Sequence, residues 1–244
     1  KYIWIMGDRY LIPEETIKYI LELISYNFNE DLFVVNLEGK VKNIPIKKYN
    51  QAEILLTDLG PIMTCISTLI LSQRTISGLE LNKFDSSAYP HFCSIFEYLN
   101  GINFSVIWNP KYSVMALKPQ GLDLKNWSHD ERALSIGCRN WVNSVFSLSA
   151  DFSFFSKISC IKNFGVLSNL FTFRGIALMR LRGNLTYSNY KKYSEEIGLI
   201  IKYPKIIVML MSIFPRNILK FIYTFLYFLP VSLIKKIGIV NLNE

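Results

Sequence analysis

The chain has 244 residues, half of them hydrophobic, which is enough to bury one sizeable core and carry a smaller appendage and excludes a disordered protein. A formal net charge of +8 favours an anionic partner: nucleic acid, acidic lipid or a phosphorylated substrate. The four cysteines (65, 93, 138 and 160) form no CxxC pair, which argues against a zinc ribbon or a disulfide framework and fits a reducing compartment, and two histidines, His91 and His129, are too few for a histidine-built zinc site.

In chain order, YIWIM at 2 to 6 is a short apolar run rich in aromatic and β-branched residues, and it predicts a buried strand closed by Gly7. Pro13 suits a first helical turn and Glu14 and Glu15 favour its positive end. Ile17, Ile20, Leu21 and Ile24 then make one apolar helical face. DLFVVNLEG at 31 to 39 predicts a strand and a turn, whereas CISTLILSQ at 65 to 73 fits helix or strand equally. YPHFCSIFEYL at 89 to 99 places Phe92, Ile95, Phe96 and Leu99 on one side of a helix. FSVIW at 104 to 108 and YSVMAL at 112 to 117, separated by NPK, read as a strand pair.

The fold class is therefore α/β up to about residue 120, followed by an all-helical C-terminal extension. Long helical periodicities replace the strands through ERALSIGCRNWVNSVFSL, SFFSKISCIKNFG, GIALMRLRG and YKKYSEEIGLII. Three segments are expected: 1–120, 121–205 and a separable tail at 206–244. Between Glu196 and Glu244 no acidic residue occurs, while Lys202, Lys205, Arg216, Lys220, Lys235 and Lys236 are interleaved with bulky apolar residues. Such a tail suits an anionic membrane surface; packing on the domain or on a second subunit is the alternative use. The uninterrupted run FIYTFLYFLPVSLI is shorter than the about 20 residues that span a bilayer, and Pro230 breaks it, which favours a peripheral or monotopic attachment. Cations set among aliphatics do not read as a nucleic-acid surface, so no nucleic-acid partner is expected.

An aspartate where a strand ends and the backbone turns stands at the rim of a parallel sheet, where open α/β folds bind ligands, and Asp8 can hold a divalent metal there or serve as a turn and helix-entry residue. The stretch YIWIMGDRYLIPEETIKYIL resembles the strand, Gly-Asp-rich turn and helix of family 2 glycosyltransferases of the GT-A fold, and is most similar to the abequosyltransferase-like group that builds O-antigen and capsular polysaccharide. FDSSAYPHFCSIFEYL resembles that group's acceptor segment, and WSHDERALSIGCRNWVNSVFSL and RGIALMRLRGNLTYSNYKKY its helical C-terminal part. The family's turn is a run of acids. Here Asp8 matches the first, while Arg9 and Tyr10 stand where acids are usual.

The resemblance implies the C-terminal half of a GT-A Rossmann-like domain, with GDRY mid-domain in the parent protein and the nucleotide-base pocket upstream of Lys1. It also implies roles for single residues: Asp8, Arg9 and Tyr10 at the donor diphosphate, with Asp8 on a Mg or Mn divalent cation and Arg9 able to offer a fixed cation instead. Asp85 becomes the base that takes the acceptor hydroxyl proton, with Asp58 and Glu97 the next carboxylates to consider, or else it begins a turn and caps the helix through Ser86 and Ser87. His91 is placed to hydrogen-bond a sugar or phosphate in the acceptor cleft, or to be a satisfied core histidine, and Tyr89 and Trp108 are acceptor-binding flat surfaces or core. The implied reaction is sugar transfer from a nucleotide-sugar to a polyprenyl-diphosphate-linked glycan at the cytoplasmic face of the bacterial inner membrane. The alternative is a non-catalytic, membrane-bound partner of another transferase.

Overall fold

The computed structural model describes residues 1–26, 29–117, 127–130 and 132–228. The expected boundary near 120 and the tail beyond 228, with Pro230, Lys235 and Lys236, lie outside the described residues.

Strands β1 (Tyr2–Trp4), β2 (Tyr10–Leu11), β3 (Leu32–Leu37), β4 (Lys47–Tyr49), β5 (Leu69–Ser72) and β6 (Val106–Ala116) form one sheet in the order β1-β5-β3-β6-β2, with β4 also on β6. β3 and β6 are parallel, and β5 runs antiparallel to both β3 and β1. It follows that β1, β3 and β6 all run in one direction, with β5 reversed between β1 and β3. The carboxyl ends of those three strands therefore lie at one edge of the sheet. The sheet is mixed, a correction to the parallel sheet on which Asp8 was expected.

β3 shows why DLFVVNLEG is apolar at every step. Leu32 and Val34 face one core and Phe33 and Val35 face the other. The larger core contains α2 (Ala52–Leu59), α4 (Pro90–Asn100) and the C-terminal helices; the smaller lies under α1 (Glu14–Ser25). In α1 the inner residues are Thr16, Ile20, Leu23 and Ile24, whereas Ile17 and Leu21, expected inside, are exposed. β1 is likewise not the buried strand expected over 2–6. It is a short edge strand whose Tyr2 and Trp4 pack inward while Ile3 and Ile5 are exposed. The ambiguous 65–73 segment divides: after a 3-10 turn at Ile62–Thr64 that precedes it come a second 3-10 turn (Ile66–Thr68), then β5, then the start of the short helix α3 (Gln73–Gly78).

The expected strand pair at 104–117 is a single strand. β6 continues through Pro110, and the register against β3 jumps from Val35 opposite Asn109 to Asn36 opposite Ser113. Proline supplies no ladder donor, so a bulge is how a strand accommodates it. The buried Asn36 side chain fills the gap, donating from Nδ2 to Pro110 O (3.1 Å) and Val41 O (2.8 Å).

After residue 127 the expected helices are present: α5 (Arg132–Leu134), a π-helical turn (Ser135–Asn140), α6 (Trp141–Phe146), α7 (Phe154–Leu167), α8 (Phe173–Arg182), α9 (Tyr187–Lys192), α10 (Ser194–Ile200), α11 (Lys205–Ile213) and α12 (Arg216–Phe228). The helices from α5 to α11 share one continuous core with α2 and α4, from Leu32 to Val208, and α12 contributes no described residue to it.

Candidate functional site

The GDRY turn is the hinge between two edges of the sheet. β1 delivers it to the carboxyl edge, the Tyr10 N–H closes it on Gly7 O (3.2 Å), and Tyr10 and Leu11 then pair with Ala116 and Met115 at the end of β6. The Leu117 N–H donates to Arg9 O (2.7 Å). The other side of the turn is tied to the 3-10 segment before β5: the Gly7 N–H donates to Ser67 Oγ (2.9 Å) and the Trp4 indole to Ser67 O (2.8 Å). Asp8 is exposed at the tip, with Arg9 and Tyr10 half-buried beside it.

His91 meets the same segment. It lies in the first turn of α4, half-buried, with Nε2 3.1 Å from Thr64 O; a carbonyl only accepts, so that nitrogen carries the proton. Burial holds the His91 pKa below the ordinary histidine value, and the pull of the Thr64 and Met63 carbonyls in the opposite direction is smaller. The ring is therefore neutral at neutral pH. Because its folded pKa is depressed, the unfolded chain binds the proton more readily, and stability should fall as the pH drops below about 6.5 and on through the folded value. Thermal melts between pH 7.5 and 5 should show this limb, and it should flatten in His91→Gln, which keeps a donor for Thr64 O without titrating.

Thus one short segment, Thr64–Ser67, is held by the GDRY turn, through Gly7 and Tyr10, and by His91. Asp85 is exposed at the end of the 3-10 turn Leu81–Phe84. It does not cap α4: the N-cap position is Tyr89, whose N–H is held by Ser87 Oγ at 3.0 Å. Neither aromatic offered for sugar stacking presents a free face. Trp108 is fully buried and its indole N–H donates to Ile44 O (3.1 Å), and Tyr89 is buried edge-on against Trp141. Both are core residues, because β6 runs between two helical layers and α4 starts inside one. A cavity of about 330 Å³ lined in part by Lys40, Lys42, Asp58, Ile62, Asn163 and Lys202 contains Asp58, the second-choice carboxylate, and none of Asp8, Arg9, Tyr10, Asp85, Tyr89, His91 and Trp108.

The sequence reading missed Glu38. It follows β3 at the same carboxyl edge, with a left-handed φ of 49° immediately before Gly39, and its Oε1 accepts from the Ala116 N–H (3.2 Å). A side chain rarely adopts that backbone, and such strain concentrates at functional positions. The signal available in the sequence was the LEG turn at the end of the most apolar strand.

Tyr10 cannot replace an acid as an anionic ligand. Burial, then the neighbouring Cys65 thiol and the Glu38 carboxylate, push its pKa well above the ordinary tyrosine value, outweighing Arg9. Among the described residues no group of three His, Cys, Asp or Glu side chains is arranged to hold a metal ion. Magnesium commonly takes one or two carboxylates and completes its shell with substrate phosphates and water. The single carboxylate of Asp8 fits that arrangement and no self-contained metal site. No protein-family model matches this chain, and no curated protein matches it at a significant level.

Proposed function

We propose that this chain is the C-terminal half of a GT-A domain, with its helical extension, in a glycosyltransferase that moves a sugar from a nucleotide-sugar donor to a polyprenyl-diphosphate-linked glycan during bacterial O-antigen or capsule synthesis. The observation that carries the reading is the convergence, at the carboxyl edge of three co-directional strands, of the GDRY turn, the Glu38–Gly39 turn and the segment that holds His91. Open α/β sheets bind ligands at such an edge.

In this reading Asp8 holds a Mg or Mn ion at the donor diphosphate; a bound divalent ion supplies charge neutralisation as the nucleotide leaves. Arg9 adds a permanent cation on the same turn. The exposed carboxylate of Asp85 is free of the helix cap and takes the proton of the acceptor hydroxyl, and neutral His91 orients the acceptor. A second reading, a non-catalytic partner of another transferase at the membrane, is favoured by one observation: Asp8 is the turn's only acid and the neighbouring phenol is turned to Cys65.

The deciding experiment incubates the natural gene product with UDP-, GDP-, CDP- and dTDP-sugars and extracted polyprenyl-diphosphate-linked glycan. Acceptor-dependent release of one nucleoside diphosphate is expected. No release from any donor, with stimulation of a co-expressed transferase instead, would establish the partner.

A further inference from the structure

The C-terminal helices carry an unused surface. α11 runs for 9 residues, α12 for 13, and the chain bends by 99° between them at Phe214 and Pro215. α11 is not the separable tail expected from residue 206 on: Val208 belongs to the main core and Ser212 is buried beside it, with α8 and α9 underneath. Its other face, Ile206, Leu210 and Ile213, points outward. On α12, successive steps of about 100° put Arg216, Asn217, Lys220 and Thr224 on one face and Ile218, Phe221 and Ile222 on the other. All seven are exposed, with Phe221 at 73 %.

The bend is built into the fold. Arg180 Nε donates to Phe214 O (2.9 Å) and its Nη1 to Leu185 O (3.0 Å), while Arg216 Nη2 donates to Leu181 O (2.8 Å) at the C-terminal end of α8. Two guanidinium groups thus fix where α12 starts, and the helix projects with its apolar face uncovered. We infer that α11 and α12 form a pre-shaped, monotopic docking element that lies flat on an anionic lipid surface, with Ile206, Leu210, Ile213, Ile218, Phe221 and Ile222 entering the acyl boundary and Lys205 and Lys220 meeting the headgroups.

Three observations choose lipid as the occupant. The apolar residues are interleaved with Lys205, Arg216 and Lys220 in a region that contains no acidic side chain from Ile197 to Asn243, which is complementary to acidic headgroups. At 1.5 Å per residue α11 is about 14 Å long, short of the about 30 Å hydrocarbon core, and no single helix among the described residues is long and apolar enough to cross a membrane; α11 and α12 have that length and composition only together, as a pair bent by 99°, and the depth measurement below separates such a broken or re-entrant span from flat docking. The opposed polar and apolar faces of α12 are those of a helix that lies in the interface plane. The inference stands on these surfaces independently of the transfer reaction, and its test contains neither donor nor acceptor.

Flotation of the full chain with vesicles rich in phosphatidylglycerol should show binding that high salt weakens and does not abolish, and weaker binding to phosphatidylcholine vesicles. The triple variant I218S/F221S/I222S, which alters only exposed side chains, should lose binding at least tenfold while its circular dichroism and melting are unchanged. A Trp reporter at F221W should be quenched by lipids brominated near the headgroup more than by those brominated near the chain end. Unchanged binding by the triple variant, or strongest quenching at the chain end, would overturn the flat docking. So would a dimer of the intact chain that ignores vesicles and dissociates in the triple variant, which would assign the face to a second copy.

Discussion

Replacing Asp8 by alanine is expected to abolish sugar transfer by the natural gene product, a loss of at least about 100-fold, the scale seen when one preorganised charge partner is taken from a developing negative charge. The turn has no substitute. Arg9 is a cation, and Tyr10 is bonded to Cys65 in surroundings that hold its hydroxyl protonated. Glu38, the other acid at this edge, already accepts from the Ala116 N–H and lies 3.9 Å from Lys40. Asp85→Asn is expected to lower turnover by a similar factor, on the order of 100-fold for loss of a general base, with donor binding intact. The two variants should therefore separate: Asp8→Ala weakens nucleotide-sugar affinity in calorimetry and Asp85→Asn does not. Full activity in Asp8→Ala would remove Asp8 from the diphosphate site. An unaltered rate in Asp85→Asn would leave Asp85 a surface residue, and the other two carboxylates are poorly placed to inherit its role, because Asp58 is held by Lys47 and the Tyr49 hydroxyl at 3.0 Å each and Glu97 accepts from the Ser149 N–H.

How far the sequence could be read depended on how local each determinant was. β3 and α4 were legible because their patterns are complete within a few residues: four apolar side chains in succession for a strand covered on both faces, and Phe92, Ile95, Phe96 and Leu99 at helical spacing. β6 was not. Its continuity through Pro110 depends on Asn36, 74 residues earlier, whose amide bridges the bulge. The inner face of α1 was misjudged for a related reason, since Thr16 is buried by a hydrogen bond from its hydroxyl to Ser113 O (3.1 Å), which no hydropathy pattern reports. At the site, the Gly-Asp turn after an apolar run and the LEG turn after β3 were both legible as turns, whereas the left-handed φ of Glu38 and its bond to the Ala116 N–H were not. Tyr89 and Trp108 show the converse. Aromatic residues near a cleft-like motif carry no mark of which face is covered, and here helices cover both.

Trp141→Ala is expected to cost about 3–5 kcal/mol, the range for truncating a buried aromatic side chain, and to lower the melting temperature by roughly 6–20 °C in a chain of this size. Trp141 is fully buried at the junction of the sheet-packed helices with the C-terminal ones. Its ring stacks on Phe164 of α7 at 4.7 Å, meets Phe92 of α4 at 4.9 Å and receives Tyr89 edge-on at 5.3 Å. The lost area alone would be costly, and two helices from different parts of the chain would also face one cavity that neither can fill. Trp141→Phe separates the packing effect from polarity: the indole N–H is buried with no hydrogen-bond partner among the described residues, so phenylalanine removes an unpaired donor along with some volume and should cost much less. Because the same ring touches both α4 and α7, unfolding followed by far-ultraviolet circular dichroism and by tryptophan fluorescence should give one coincident transition in the unaltered chain. Separate transitions would mean that the helices after residue 127 fold without the sheet, and Trp141→Ala would then shift only one of them.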